Sequence, residues 1–202
     1  NSTGWESNIY SLALRHGKAN QLEHKELILR IYSGEEAPHR SVREYHCMSQ
    51  LHSAGFPVPQ VLLLERENSP FGNPFVIMEK IDGVLLGTLI SRSSAQDKKQ
   101  EFITLFCNLL FRIHRLDWRL FVEDVSKYET DNPFEFIDSE LNKKRALCER
   151  CPASGFLPVL EWLEHRRDLV PCSIPSLVHL DFHLTNVLVC SDAVSYTHLR
   201  AH

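Results

Sequence analysis

The 202-residue sequence predicts an α+β protein in which a sheet-rich first part is followed by a helical second part. Short apolar runs separated by turn residues dominate up to about residue 80, which is typical of strands. Apolar residues then recur at helical spacing from Phe102 to Leu116. The segment Ile81-Asp-Gly83 separates the two patterns, so we expect the boundary between two lobes there.

The first part is predicted to contain four strands and one helix. The strand predictions cover residues 9–14, 26–32, 60–65 and 75–80. Between the second and third strands, apolar residues recur at helical spacing from Val42 to Leu51. Gly55 and Pro57 end that helix.

The second part is predicted to be mainly helical. Its helices cover residues 102–116, 133–145 and 157–169, and short apolar strands cover 176–180 and 187–189. These two strands flank a polar loop.

The composition excludes some classes of partner. With 22 basic and 26 acidic side chains, a net charge of -4 and no basic stripe, nothing favours binding to nucleic acid. No apolar run approaches the ~20 residues that span a bilayer, so no membrane partner is expected. The six cysteines are scattered, and the first residues do not resemble a secretion signal. We therefore expect reduced thiols and a cytoplasmic location, while the oligomeric state stays open.

The polar loop carries the residues with the clearest chemistry. Asp181 is followed five residues later by Asn186, and His179 precedes Asp181 by two positions. Phosphoryl transfer needs a group that orients or deprotonates the attacking hydroxyl, and oxygen ligands that hold Mg²⁺ against the phosphates. Asp181 and Asn186 meet these needs, and His179 can fix the loop by hydrogen bonding.

The stretch from His179 to Val189 resembles the catalytic loop of the aminoglycoside phosphotransferase (choline kinase-like) family, which is related to the protein kinases. This resemblance implies a bilobal, protein-kinase-like α+β fold. A small antiparallel sheet with one helix would form the N-lobe over residues 1–80, and a mainly helical, incomplete C-lobe would cover 81–192, with its catalytic loop at 178–189. It also implies an ATP-dependent kinase that moves the γ-phosphate to a hydroxyl of a small-molecule alcohol, with Mg²⁺ as cofactor.

Other segments resemble the family in the same order along the chain. The segment 4–10 is similar to its nucleotide loop, which assigns Ser7 and Asn8 to cofactor binding. Arg30 stands where the family has its phosphate-binding cation, and Glu44 where it has the acid that pairs with this cation.

The segment 75–83 resembles the hinge that binds adenine, which assigns Met78, Glu79 and Ile81 to the nucleotide. In the loop itself the resemblance makes Asp181 and His179 catalytic and Asn186 a metal ligand.

The end of the sequence departs from this family pattern. The family carries a second metal-binding Asp about a dozen residues after the Asn, and no acidic residue occurs from Ala193 to His202. We therefore expect a chain truncated at both ends, with a non-native tail over 193–202.

Four alternatives remain open at this point. His179, Asp181 and His183 alternate, and on a strand they would share one face and suit a zinc metallohydrolase. The missing second Asp suits a non-catalytic nucleotide-binding pseudokinase. Ser41-Val-Arg-Glu44 also fits a helix capping box, which would explain Glu44 without a site. Cys148 and Cys151 fit half of a zinc site.

Overall fold

The computed structural model describes most of the chain as two compact units. The described residues are 2–4, 7–16, 23–128, 131–150, 155–172, 174–179, 181–190 and 194–196. Residues Asn1–Leu116 with Leu177–His202 form the first unit, and Asp117–Ser176 form the second. Cys151 and most of the predicted tail lie outside the described residues.

A five-stranded antiparallel sheet dominates the first unit. Its strands are β1 (Ser2–Gly4), β2 (Ser7–His16), β3 (Glu23–Tyr32), β4 (Val61–Glu65) and β5 (Phe75–Glu79). They lie in the order β1-β2-β3-β5-β4. The four predicted strands are therefore present.

The two faces of this sheet have different partners. On one face Leu29 and Ile31 of β3 pack with Phe75 of β5. Side chains alternate along a strand, so Arg30 and Tyr32 point to the opposite face. Helix α1 (Ala37–Ser53) packs against β3, β4 and β5.

Helix α1 begins earlier than the capping-box interpretation requires. It starts at Ala37, with Pro38 in its first turn, where the fixed proline backbone suits a helix start. Ser41 is therefore inside the helix, and its hydroxyl donates to the carbonyl of Pro38 at 3.0 Å. The capping-box prediction is wrong, because Ser41 is not the residue before the helix.

A second, three-stranded sheet links residues far apart in sequence. It contains β6 (Val84–Leu85), β7 (Val187–Val189) and β8 (Val194–Tyr196), in that order and antiparallel. The strand predicted over 176–180 is not formed in its described residues 176–179. A physical reason is that the apolar run gains little burial there, since Val178 is 56% exposed.

Two helices complete the described part of the first unit. Helix α2 (Leu86–Arg92) follows β6 directly, and α3 (Gln96–His114) follows α2. Helix α3 buries Leu109 and Ile113, two residues of the predicted apolar face.

The second unit is helical. It contains α4 (Glu135–Arg150), α5 (Leu157–Glu164) and short 3-10 turns. Arg145 of α4 pairs with Glu164 of α5. Both pieces of the predicted helix at 157–169 are helical, but α5 ends at Glu164 and a 3-10 turn covers Arg167–Leu169. Among the described residues, no helix is both long enough and apolar enough to cross a membrane.

Candidate active site

Arg30 lies at the centre of a buried polar cluster formed by β2, β3 and α1. Its Nη1 donates to Oε1 of Glu44 at 2.5 Å, and its Nε donates to the Ser7 hydroxyl at 3.1 Å. The guanidinium carbon lies 5.3 Å from the centre of the Tyr32 ring. Arg30 and Glu44 are 6% and 8% exposed, so the two charges are held away from bulk water and compensate each other.

The protonation of Tyr32 reflects this environment. Burial raises the pKa of the Tyr32 hydroxyl far above its usual range, and the negative charge of Glu44 raises it further, against the lowering effect of Arg30. The buried hydroxyl lies close to Glu44 but makes no hydrogen bond of normal geometry among the described residues. Tyr32 is therefore a neutral phenol whose ring contacts Arg30.

Ser7 and Asn8, the two predicted nucleotide-loop residues, have different surroundings in the structure. Ser7 is buried at the start of β2 and its hydroxyl is already engaged by Arg30. Asn8, the next residue, is only partly buried and stands opposite Ile31. The assignment of both residues to nucleotide binding stays a prediction. The hydrogen bond between Ser7 and Arg30 was not predicted from the sequence.

The predicted hinge lies on the strand beside Arg30. Arg30 stands opposite Val76 on β5, and Met78 follows two residues later on the same face. The N–H of Glu79 donates to the carbonyl of Gln60 at 2.9 Å. The N–H of Glu79 is therefore already engaged and is not the group left for an adenine contact. Ile81 lies in the connection between β5 and β6.

Asp181 and Asn186 are joined by hydrogen bonds across a tight turn. Nδ2 of Asn186 donates to the Asp181 backbone carbonyl at 2.8 Å and lies 3.1 Å from the carboxylate Oδ2. The residues Leu184–Asn186 form a 3-10 turn, and β7 follows at once. Asn186 is 4% exposed, whereas the Asp181 side chain is partly exposed. The Asp181 carboxylate is therefore partly open to solvent, while the Asn186 amide that binds it is buried.

His179 fixes the start of this turn. Its Nδ1 accepts a hydrogen bond from the backbone N–H of Asp181 at 3.1 Å, which requires an unprotonated Nδ1. The ring packs edge-on against Phe182, which in turn contacts Phe106 of α3. His179 thus orients the backbone of Asp181 and anchors the loop to a helix.

His183 lies beside both polar residues of the turn. Its Nε2 is 2.9 Å from Nδ2 of Asn186 and 3.3 Å from Oδ1 of Asp181, and its Nδ1 is 2.7 Å from the Thr185 hydroxyl. The role of Nε2 depends on the tautomer of His183: without a hydrogen it accepts from Nδ2 of Asn186, and with one it donates to the Asp181 carboxylate. His183 was not predicted to belong to a phosphotransfer site, although its position two residues after Asp181 was a usable signal.

The backbone around His183 does not have the strand geometry that the predicted zinc site would need. Residues 181–183 form a turn and loop, so the alternation of His179, Asp181 and His183 does not place them on one face of a strand. No group of three or more metal-binding side chains occurs among the described residues. The strand geometry predicted for the metallohydrolase alternative is wrong.

The oxygen atoms of the turn fit part of a magnesium site. Because Nδ2 of Asn186 faces Asp181, the amide oxygen is the atom left for a hard cation. Mg²⁺ is usually held by one or two protein groups together with phosphate oxygens and water. Asn186 supplies such a group.

Gly83 allows the hinge segment to contact the strand that follows the turn. Val84 and Leu85 pair with Val189 and Leu188. A Cβ on Gly83 would lie 3.0 Å from the carbonyl oxygen of Val189 and 3.2 Å from Cβ of Leu188. The absence of a side chain at Gly83 therefore permits the close approach of the two segments.

A comparison of the sequence with protein-family models covers all the residues of the candidate site. The model of the phosphotransferase enzyme family known as APH matches residues 4–196. The chain belongs to this family. The predicted family membership is confirmed, and the match includes every residue assigned to the site.

Solved structures show the same fold. A Ralstonia eutropha JMP134 protein assigned to the aminoglycoside phosphotransferases has a TM-score of 0.59 and 18% identity, over 94% of this chain and 59% of that one. The wild-type aminoglycoside 2'-phosphotransferase-IIIa in complex with GDP has a TM-score of 0.56 and 13% identity, over 94% and 66%. The predicted protein-kinase-like α+β fold is confirmed.

The curated relatives are much longer proteins. Mouse acyl-CoA dehydrogenase family member 10 is 28% identical over 88% of this chain, which corresponds to 17% of that protein. Chicken acyl-CoA dehydrogenase family member 11 is 32% identical over 40% of this chain and 10% of its own length. The chain therefore spans a small part of the curated relatives that it matches.

Proposed function

We propose that this chain is the phosphotransfer part of a protein that moves the γ-phosphate of ATP to a hydroxyl of a small-molecule alcohol. The observation that carries the proposal is the turn in which Asn186 holds Asp181 through its backbone carbonyl and its carboxylate. Family membership over residues 4–196 supports it.

The proposed chemistry assigns one task to each polar group. The Asp181 carboxylate accepts the hydrogen of the acceptor hydroxyl, so that the acceptor oxygen is oriented toward the γ-phosphorus. A bond forms between that oxygen and the γ-phosphorus while the bond from phosphorus to the β,γ-bridging oxygen breaks. ADP leaves, and the hydroxyl proton passes through Asp181 to water.

The remaining groups bind and orient the nucleotide. Arg30, fixed by Glu44, would neutralise charge on the α- and β-phosphates. Mg²⁺, when held by Asn186 with phosphate oxygens, would supply further charge neutralisation. Met78, Glu79 and Ile81 would contact adenine. Most of the catalytic effect would then come from positioning and electrostatics.

The choice of ATP over GTP is part of the proposal. Three of the similar solved structures are GDP complexes, which says only that those proteins bind a guanine nucleotide. Competition between ATP and GTP for the intact protein tests this choice. Equal or stronger binding of GTP would contradict it.

Replacing Asp181 tests the reaction itself. Asp181→Ala in the intact protein should abolish transfer from γ-labelled ATP to a panel of small alcohols while ADP affinity stays within about threefold, because the carboxylate faces the hydroxyl rather than the purine. Asp97→Ala, at an exposed carboxylate on α3, is the matched control.

Three results would count against the kinase proposal. Unchanged transfer in Asp181→Ala would remove the kinase proposal. Tight ADP binding by the wild type without transfer to any alcohol would favour the pseudokinase. Stoichiometric zinc in the purified protein would favour a hydrolase.

A further inference from the structure

The Arg30 guanidinium is held by side chains from three different elements. Glu44 on α1 binds Nη1, Ser7 on β2 binds Nε, and the Tyr32 ring on β3 lies 5.3 Å from the central carbon. All four residues are buried. Such an arrangement restricts the guanidinium more than an ion pair alone.

We propose that Ser7 and Tyr32 are positioning residues that fix the plane of the Arg30 guanidinium for contact with nucleotide phosphates. This inference rests on the proposed function, in which Arg30 meets the phosphates. Neither residue is required to touch the nucleotide.

The role of Ser7 follows from hydrogen-bond geometry. The bond from Nη1 to Glu44 holds one atom of the planar guanidinium. The bond from Nε to Ser7 holds a different atom of the same plane and so restricts its orientation further. Arginine recognises phosphate by presenting donors in a rigid fork, so its orientation affects its affinity for phosphate.

The position of Ser7 also connects the cation to the predicted nucleotide loop. Ser7 is the first residue of β2 and belongs to the segment 4–10 that is similar to this loop. Its register partner on β3 is Tyr32. A displacement of this end of β2 would therefore move both Ser7 and its partner Tyr32, and so change the position of the Arg30 guanidinium that both contact.

The contribution of Tyr32 comes from its ring. The hydroxyl makes no hydrogen bond of normal geometry among the described residues, and the ring faces the cation at a distance typical of cation–π contact. Removal of the hydroxyl should thus have little effect, whereas removal of the ring should loosen Arg30.

The test compares two ligands, ADP and adenosine, which share a base and sugar but differ in phosphate. In the intact protein, Ser7→Ala should weaken ADP binding several-fold, because Arg30 would then have to be ordered on binding, and change adenosine binding less than about twofold. Ser7→Thr keeps the hydroxyl and should restore ADP binding. Ser11→Ala, at an exposed serine of the same strand, is the control.

Tyr32 is tested with the same two ligands. Tyr32→Phe should bind ADP like the wild type, and Tyr32→Leu should bind it several-fold more weakly, as expected for a lost cation–π contact. Equal losses for ADP and adenosine would indicate general damage to the fold and overturn the proposal. An equal loss in Tyr32→Phe and Tyr32→Leu would overturn the role of the ring.

A measurement without nucleotide separates this inference from the proposed function. In the free protein the Arg30 Nε–Hε group should exchange slowly with solvent in NMR spectra, because it is buried and bonded to Ser7. Exchange should become fast in Ser7→Ala and stay slow in Ser7→Thr. Fast exchange in the wild type would overturn the positioning of Arg30 by Ser7. Slow exchange in a protein that binds no ADP would instead refute the proposed function.

Discussion

Asn186 donates from one amide nitrogen to Asp181, at 2.8 Å to the backbone carbonyl and with the carboxylate Oδ2 at 3.1 Å. The two residues are five positions apart, and Asn186 is the buried one of the pair. The amide is therefore the internal support of a partly exposed carboxylate.

Asn186→Ala should reduce both stability and metal dependence. It leaves the Asp181 carbonyl without its amide donor, which should lower the free energy of unfolding by about 1–3 kcal/mol. It also removes the amide oxygen proposed for Mg²⁺, so nucleotide binding should lose its response to added Mg²⁺. Urea unfolding and ADP titrations with and without Mg²⁺ check these effects. Asn108→Ala, at an exposed position on α3, should change neither, and an unchanged Mg²⁺ response in Asn186→Ala would contradict the metal assignment.

Glu44→Gln should be strongly destabilising. The change removes one charge of a buried ion pair, and such changes cost about 3–5 kcal/mol. Urea unfolding measures the loss. Glu36→Gln, at the exposed residue before α1, should leave the unfolding free energy within about 0.5 kcal/mol. A loss below about 1 kcal/mol in Glu44→Gln would show that water screens the pair.

Cys47 should react slowly and should make stability depend on pH. Burial raises the pKa of its thiol to about 11, with the charge of Glu44 as the next cause. The contribution to stability is complete below the unfolded thiol pKa of about 8.5 and is lost as pH rises toward 11. Alkylation by iodoacetamide at pH 8 should be slower at Cys47 than at exposed Cys107. Equal rates would refute the prediction, and Cys47→Ala should flatten the fall in stability between pH 8.5 and 11.

Gly83→Ala should weaken the link between the hinge segment and β7. Its new Cβ would lie 3.0 Å from a backbone carbonyl oxygen, which cannot move without disturbing the strand pair, so a loss of about 1–3 kcal/mol is expected. Thermal unfolding measures this loss. Gly87→Ala is the matched control. Gly87 lies in α2, where alanine favours the helix, and its Cβ would make an ordinary 3.4 Å contact with Cβ of Leu184. A neutral Gly83→Ala would show that the contact relaxes.

Strong local patterns predicted most of the elements correctly. The strands of the first sheet and the helix α1 follow from apolar periodicity, and the polar turn follows from the spacing of His179, Asp181 and Asn186. The strand expected over 176–180 failed because an apolar run carries no information about whether a neighbouring element will bury it. In the structure Val178 is exposed.

The contacts that complete the candidate site could not be predicted from the sequence. Nothing in the local sequence says that Ser7 meets Arg30, because that bond joins residues 23 positions apart. The capping-box interpretation of Glu44 failed because Pro38 starts the helix one turn earlier, and a four-residue motif cannot reveal the true first turn. The lobe boundary near residue 81, the individual site roles and the non-native tail stay predictions.

The pairing of β6 with β7 has a consequence for how the molecule folds. Asp181 and Asn186 are near neighbours in sequence, and Arg30 and Glu44 are 14 residues apart, so each pair closes a short loop. Val84 and Val189 are joined across more than half of the chain. Closing so long a loop carries the larger entropy cost, so it should form late. The two polar clusters would then exist as separate local structures before a two-residue strand unites them, and that step would limit the rate at which the chain becomes competent to bind.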